Sequence, residues 1–174
     1  MSILRMFGHT APSSSSADTQ TVRKIVASLD AMDPERARFI AAFAFLLCRV
    51  ARTDLVISDE EAREMERIVM EKGGLSEEQA VLVLQIAKSQ EALFGGTENF
   101  LVTREFSKLA TRDEKLALLD CLFAVSAADQ SISTAEDNEI VRICAELQLP
   151  REEVVNARSR YREYLAVLKG MPGQ

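Results

Sequence analysis

The chain has 174 residues, of which 47% are hydrophobic and 28% are charged, and its formal net charge is −6. That length and apolar content are sufficient for one domain with a buried core. The acidic balance argues against binding nucleic acid through phosphate contacts, because such binding requires a basic face. It is compatible with simple solubility, with a cation ligand or with a basic protein partner.

The N-terminal segment differs in composition from the rest of the chain. Residues 8–20 are rich in serine, contain a proline and carry little apolar surface, which is typical of a disordered linker. Residues 1–7 lack the long apolar region of a secretory signal, and no apolar run approaches the roughly 20 residues of a membrane span. We therefore expect a disordered segment at 1–20 and a domain at 21–170, in a cytoplasmic protein without a transmembrane segment.

Helical periodicity begins after this linker and continues nearly to the end of the chain. Apolar residues recur every three or four positions and no strand-like alternation is sustained, which predicts an all-α domain. The first helix is expected at 21–31. Asp33 and Pro34 then begin the second helix, as its N-cap and its first helical residue. The second helix, at 34–53, is apolar nearly all round between Phe39 and Leu47, which indicates a central, buried helix.

Capping residues and glycines mark the helices that follow. Ser76 precedes two glutamates and predicts the start of the fourth helix, whereas paired glycines at 73–74 and 95–96 predict helix ends. The remaining helices are expected at 58–72, 77 to about 95, 98–110, 112–128, 133–149 and 150–169. The sequence thus predicts a compact bundle of about seven to eight helices.

Three cysteines occur in apolar helical runs, and no two have the Cys-x-x-Cys spacing. An odd number without paired spacing favours small core residues over disulfides, as in a reducing compartment. These residues are Cys48, Cys121 and Cys144.

One sequence element occurs twice. Residues 54–68 read DLVISDEEAREMERI and residues 129–143 read DQSISTAEDNEIVRI, at an offset of 75 residues with seven identical positions. Unrelated segments of this length would share about one residue at ordinary residue frequencies. Each copy follows the end of a long apolar helix, so the repeated unit is a helix, an acidic turn and a second helix.

Helix capping explains four of the repeated residues. Ser58 and Ser133 are placed to accept hydrogen bonds from the first free amides of their helices. Glu61 and Glu136, three residues later, complete a capping box by accepting a hydrogen bond from the serine amide. These four positions therefore have a structural role that requires no ligand.

The remaining acidic positions leave two interpretations open. Asp54 and Asp129 can bond amides within their own turns, while Glu64 and Glu139 suit the helix dipole and can pair with the arginine three residues on. Capping and turn formation would then explain every position without a metal.

The second interpretation is a metal site. Two helix–turn–helix units that pack about an approximate two-fold axis would bring their acidic turns together. Hard cations such as calcium or magnesium take oxygen ligands of this kind. The ligands would be Asp54, Glu61, Asp129 and Glu136. Behind them, supporting the ligands, would lie Glu64, Glu139, Ser58 and Ser133. The spacing is not that of an EF-hand, and the absence of His and Cys pairs argues against zinc.

The duplicated motif resembles the TerB-like family, which includes the tellurite-resistance protein TerB and the N-terminal domain of the DjlA membrane co-chaperones. The matching segments are ARTDLVISDEE at 51–61, SAADQSISTAE at 126–136 and LPREEV at 149–154. The resemblance covers roughly residues 35–165. It implies a compact helical fold, an acidic surface around the duplicated turns, divalent-cation binding there and a role in stress or metal resistance.

One departure from the family pattern concerns the residue after each aspartate. The family usually has glycine there, which permits positive φ, whereas this chain has Leu55 and Gln130. The expectation from this departure is a less tightly wound ion loop in both copies.

Three functions compete at this stage. The first is a non-enzymatic, cation-responsive helical domain of a stress or tellurite-resistance system. The second is a metal-free interaction module whose acidic face docks an unidentified basic protein, near the inner membrane. The third, an enzyme, is disfavoured because no nucleophile–base pair or phosphate loop is visible and the one histidine, His9, lies in the linker.

Overall fold

The structure is a computed structural model that describes residues 16–50, 59–89 and 99–169. Most of these residues are helical. These ranges contain nine α-helices and one 3₁₀ turn and no β-strand, which confirms the all-α prediction. The helices are α1 Ser16–Asp30, α2 Pro34–Val50, α3 Asp59–Glu71, α4 Glu77–Lys88, α5 Asn99–Leu109, α6 Arg112–Ser126, α7 Thr134–Glu146, α8 Arg151–Arg160 and α9 Ala166–Lys169, with the 3₁₀ turn at Arg162–Tyr164.

Three predicted boundaries were wrong. One is the end of the fourth helix, expected near residue 95: α4 ends at Lys88, and Ser89 is its C-cap. Helix α1 begins at Ser16, so residues 16–20, which we assigned to the disordered segment, are helical. Residues 1–15 lie outside the described part of the chain.

The third error concerns the last helix. The predicted helix at 150–169 is divided at Tyr161 into α8, the 3₁₀ turn and α9. The break occurs because Leu165 is extended and pairs with Ile132: Ile132 N donates to Tyr164 O at 2.7 Å, and Ala166 N donates to Ile132 O at 2.9 Å. Leu165 and Ile132 are each only 1% exposed, so the break brings two apolar side chains into the core.

Helix α2 is the centre of the fold, as its apolar composition predicts. Every residue from Phe39 to Val50 is buried, and α2 packs against α1, α4, α5, α6 and α7. Aromatic rings join α2 to α5, since the ring centroid of Phe106 lies 5.0 Å from that of Phe39 and 6.2 Å from that of Phe43. Such tilted aromatic contacts add about 0.5–1.5 kcal/mol per pair beyond area burial.

The predicted N-caps of α2 and α4 are confirmed. Asp33 Oδ1 accepts hydrogen bonds from Glu35 N at 2.9 Å and Arg36 N at 3.1 Å, so Asp33 caps α2. Ser76 forms a capping box with Gln79 at the start of α4. A third box, formed by Thr111 and Glu114, opens α6 and was not among the predicted caps.

The cysteines are core residues, as predicted. All three are free and buried. Burial raises the pKa of the Cys121 thiol well above its usual range and that of Cys144 to about 12, so both remain thiols at neutral pH.

No helix in the described ranges has the length and apolarity that crossing a membrane requires.

Gly73 lets the end of α3 approach α2 closely. A Cβ at Gly73 would lie 2.5 Å from the Val69 carbonyl oxygen and 2.9 Å from Cζ of Phe43, whereas a Cβ at Gly74 would meet no atom within 4 Å. Gly74 has instead a φ of 66°, which disfavours an L side chain for backbone reasons alone.

We expect Gly73→Ala to lower the free energy of unfolding by about 1–3 kcal/mol, because Phe43 and the α3 end must move apart. Gly74→Ala is the matched control and should cost only the backbone strain of about 1 kcal/mol. Denaturant unfolding of both variants measures the difference. A Gly73→Ala protein no less stable than Gly74→Ala would show that the α3 end does not depend on this close approach.

Candidate functional site

The predicted site residues are only partly described by the structure. Asp54 and Ser58 lie outside the described residues, and Glu61 lies in α3 but its side chain is not described. The second copy, with Asp129, Ser133 and Glu136, is described in full. The convergence of the two acidic turns therefore stays a prediction, while the geometry of the second turn is observed.

The second acidic turn is built around Asp129, which is exposed. Its Oδ1 accepts a hydrogen bond of 3.0 Å from Ser131 N, which is the Asx turn that the sequence predicts. Between them Gln130 has a φ of 66°, and its amide donates to Ala127 O at 2.9 Å. The left-handed conformation that glycine would permit is therefore present in the second copy without glycine, because Gln130 adopts it itself.

The predicted capping box is present at the start of α7. Ser133 Oγ accepts a hydrogen bond from Glu136 N at 3.2 Å, and Glu136 Oε2 accepts one from Ser133 N at 2.8 Å. The residue before the cap, Ile132, is held by its two backbone hydrogen bonds to the segment around Leu165. The start of α7 is thus held both by the capping box and by the backbone pairing of Ile132.

The carboxylate oxygens of this turn suit a hard cation, but the oxygens that the structure describes are too few to complete its coordination. Asp129 and Glu136 each use one carboxylate oxygen in a backbone hydrogen bond, and the other oxygen accepts none within the described part of the chain. Calcium takes six to eight oxygens and magnesium six. Across residues 16–50, 59–89 and 99–169, no three acidic, His or Cys residues are grouped to hold a metal ion.

The two repeated glutamates are both engaged by arginine, but in different ways. Exposed Glu64 bonds Arg67 on its own helix, at 2.6 and 3.1 Å, as the sequence predicts. Glu139 also bonds the arginine three residues on, Arg142, at 3.1 Å. Its other oxygen, however, accepts two hydrogen bonds from Arg49 of α2, at 2.6 and 2.9 Å. Both carboxylates are therefore used in ion pairs, and each of their oxygens already accepts at least one hydrogen bond from an arginine.

Arg49 is the important residue that the sequence interpretation missed. Its side chain is 2% exposed and contacts α5 and α7 at once. Besides Glu139, it bonds Glu146 at 2.8 and 3.2 Å and Thr103 Oγ1 at 2.6 Å. Burial disfavours the guanidinium charge, yet the bonds to Glu146 and Glu139 outweigh it and raise the pKa of Arg49. One arginine within the apolar stretch from Phe39 to Val50 was the available signal, since a buried charge requires a partner.

A second ion pair joins α7 to α8. Arg158 Nε and Nη2 bond the two oxygens of Asp137 at 2.8 and 2.7 Å, and Asp137 is 7% exposed. The position that matches Asp137 in the first copy is Ala62. The two repeated helices therefore differ in how they are anchored, although their acidic turns match in sequence.

A family model described as Tellurite resistance protein TerB matches residues 39–159, more than half of the chain. The chain belongs to the TerB family. No curated protein and no solved structure matches it. The TerB match includes both acidic motifs and agrees with the resemblance at 35–165, while α1 and α9 lie outside the matched residues.

The left-handed backbone conformation of Gln130 predicts how a glycine at this position of the TerB turn would change stability. Gln130→Gly should raise the free energy of unfolding by about 0.5–1 kcal/mol, because glycine adopts positive φ without the steric cost of a Cβ. Gln148→Gly is a matched control, since Gln148 has a φ of 59° at the end of α7, away from the acidic turn. Denaturant midpoints measure both effects. A loss of stability in Gln130→Gly alone would show that the Gln130 side chain itself holds the turn.

The buried ion pairs make a prediction for acid stability. Burial alone would raise the pKa of Glu146, but hydrogen bonds from Arg49 and Thr103 lower it below its usual value. A carboxyl whose pKa is lowered in the folded state contributes stability above its unfolded pKa of about 4.3, and this contribution is lost as the pH falls through the folded pKa.

We therefore expect Glu146→Gln to be less stable than wild type at pH 7, by about 1–3 kcal/mol, and to lose less stability between pH 7 and pH 3.5. Denaturant unfolding at several pH values measures both quantities. Glu163→Gln, at an exposed glutamate, should follow the wild-type pH curve. An equal acid-induced loss in wild type and Glu146→Gln would contradict the role assigned to this carboxylate.

Proposed function

We propose that this TerB domain is a non-enzymatic module that binds a divalent cation, calcium or magnesium rather than zinc, through its two acidic turns. The ligands would be Asp54, Glu61, Asp129 and Glu136. The module would act in a cytoplasmic stress or tellurite-resistance-type system. The bound cation would supply positive charge at an otherwise acidic surface and thereby change which partner the domain can contact.

The observation that supports this proposal most is the geometry of the second turn. Its backbone is wound tightly at Gln130, with a φ of 66°, and this holds Asp129 at the surface with one oxygen bonded to Ser131 N. Glu136 lies within the same capped turn and also uses one oxygen for the backbone. Each carboxylate is thus held through one oxygen by its hydrogen bond to the backbone. Its other oxygen could bind a cation without a further loss of side-chain conformational entropy.

The residue types favour a hard cation and disfavour zinc. All three cysteines are buried within the helical core, and the one histidine lies at position 9, before the domain. The oxygens of the turns match the preference of calcium and magnesium. The non-enzymatic part of the proposal rests on the second turn, since Asp129 and Glu136 are engaged with backbone amides rather than with a nucleophile.

Calorimetric titration of the full chain with calcium, magnesium, manganese and zinc tests the proposal. We expect wild type to bind calcium or magnesium more tightly than millimolar, and Asp54→Asn/Asp129→Asn to bind at least about tenfold more weakly. Asparagine retains an oxygen that can accept from Ser131 N, so the turn is preserved while the charge is removed. The control is Asp113→Asn, an exposed acid in the first turn of α6.

Wild-type binding no tighter than millimolar would overturn the cation site. The metal-free alternative is supported by the cap of α7 and the turn at Asp129, because neither requires an ion. A basic protein partner that is retained in a chelator and lost on Asp54→Asn/Asp129→Asn would establish that alternative.

A further inference from the structure

The sequence of helix α1 gives it little helical stability of its own. Six of its 15 residues are Ser, Thr or Asp, which are poor helix formers. Its last turn carries no basic residue, and the exposed Asp30 at its end interacts unfavourably with the helix dipole. A helix of this length is marginal in isolation. Helix α1 is therefore held in place mainly by its packing against the rest of the protein.

That packing uses a single apolar stripe, whose residues recur at the three- and four-residue spacing of one helix face. The stripe consists of Val22, Ile25, Val26 and Leu29. Ile25 and Leu29 are buried in the core, whereas Ala27 and Ser28 on the same helix are exposed. The helices against which α1 packs include α2 and α4.

Helices α2 and α4 begin side by side and form an apolar groove, the α2–α4 groove, on which α1 lies. Arg36, near the start of α2, donates a hydrogen bond of 2.6 Å from Nη2 to Oε1 of Gln79, near the start of α4. Residues 31–33 connect α1 directly to the start of α2, so α1 ends where both helices begin. One side of α1 is thus anchored to this groove by a short connector.

Helix α4 has an apolar face that is too wide for one neighbouring helix to cover. Its buried residues are Ala80, Leu82, Val83, Leu84 and Ile86. At 3.6 residues per turn, these positions span about 200° of the helix surface. That is wider than the roughly 100° stripe of an ordinary amphipathic helix. Helix α4 packs against α1, α2 and α3, so α1 contributes to keeping this face from water.

The TerB match includes the groove but not the helix that covers it. The matched residues, 39–159, contain all of α4 and most of α2, whereas α1 ends at Asp30, before the match begins. The apolar surface therefore belongs to the TerB domain. Its cover is a helix of low intrinsic stability from outside the matched residues.

We propose that α1 is a displaceable cover of the α2–α4 groove, and that the groove binds an amphipathic helix of a protein partner in its place. The fit of α1 defines the chemistry of that partner: a helix with apolar residues at positions i, i+3, i+4 and i+7, as in α1. Releasing α1 requires only local unfolding, while α2 and α4 stay in place. The inference does not depend on the proposed cation site.

The attached α1 inhibits binding of such a partner. Because its connector is short, α1 competes for the groove at an effective concentration of about millimolar. A partner helix therefore binds only when it exceeds this competition or when α1 is released by another cause. The covered state keeps the apolar groove from non-specific association.

Hydrogen exchange of the wild-type full chain tests whether α1 opens by itself. We expect the amides of residues 25–30 to exchange at least about 100-fold faster than those of residues 40–48 in α2, because α1 opens locally. Equal protection of the two segments would show that α1 opens only together with the whole domain, and would overturn the proposal.

Binding of a labelled peptide with the sequence of residues 16–33 to the full chain tests the groove. Ile25→Asp/Leu29→Asp disrupts the stripe that holds α1, and Ala27→Asp/Ser28→Asp adds the same charges to its exposed side as the matched control. We expect the first variant to bind the peptide at least about tenfold more tightly than wild type or the control, because its own α1 no longer competes. No binding to this variant, when circular dichroism shows it to be folded, would overturn the proposal.

A milder variant covers the case in which two aspartates unfold the domain. Ile25→Ala/Leu29→Ala weakens the stripe without adding charge, and we expect its peptide affinity to lie between those of wild type and Ile25→Asp/Leu29→Asp. A folded Ile25→Ala/Leu29→Ala chain that binds the peptide no better than wild type would contradict the competition by α1.

Two further peptides test the stated chemistry of the partner. A peptide that keeps the four apolar residues of the stripe and replaces the others by Ala, Lys and Glu should bind like the α1 peptide. A peptide with Asp in place of Ile25 and Leu29 should not bind. The reverse result would overturn the assignment of the groove to an amphipathic helix.

Sedimentation of the wild-type chain tests a second copy as the occupant. We expect a monomer whose mass does not change when the α1 peptide is added. A dimer that the α1 peptide dissociates would assign the groove to α1 of a second copy and overturn the proposal of a separate partner.

Discussion

The buried guanidinium of Arg49 determines how neighbouring helices are placed around α2. Helix α2 contributes an unbroken run of buried residues, and within that run only Arg49 is charged. Leaving a guanidinium unpaired in such a core would cost several kcal/mol, so its carboxylate partners must be brought to it. Glu139 and Glu146 lie on one face of α7, two turns apart, and Thr103 lies on α5. Satisfying Arg49 therefore fixes α5 and α7 around α2 more specifically than apolar packing alone would.

The duplicated motif shows how a repeat can keep its turns while its helices diverge. Glu64 and Glu139 occupy equivalent positions in the two copies. Glu64 bonds Arg67 on its own exposed helix face, whereas Glu139 bonds the buried Arg49 of α2. Asp137, which is Ala62 in the first copy, adds a second anchor, to Arg158. The TerB family match includes both copies, so this asymmetry lies inside the family domain.

Local signals allowed much of this structure to be predicted from the sequence, and long-range pairing explains most of what was missed. The central helix, the caps at Asp33, Ser76 and Ser133, and the Asx turn depend on residues a few positions apart. The partners of Arg49 lie 90 and 97 residues away, and no local pattern indicates which of many glutamates they are. The positive φ of Gln130 was missed because residue type argues against it, and the surrounding hydrogen bonds impose it.

The backbone pairing of Ile132 with Leu165 has a consequence for the order in which the fold can be assembled. Ile132, just before the α7 cap, depends on the carbonyl of Tyr164 and the amide of Ala166. During synthesis this backbone pairing can form only after these residues, some thirty positions later, have left the ribosome. The helices of the first unit contact one another through α2 and α4 and need no such late segment for their own contacts. The contacts of the two units would then be completed at different times, those of the second only when the segment around Leu165 has paired with Ile132.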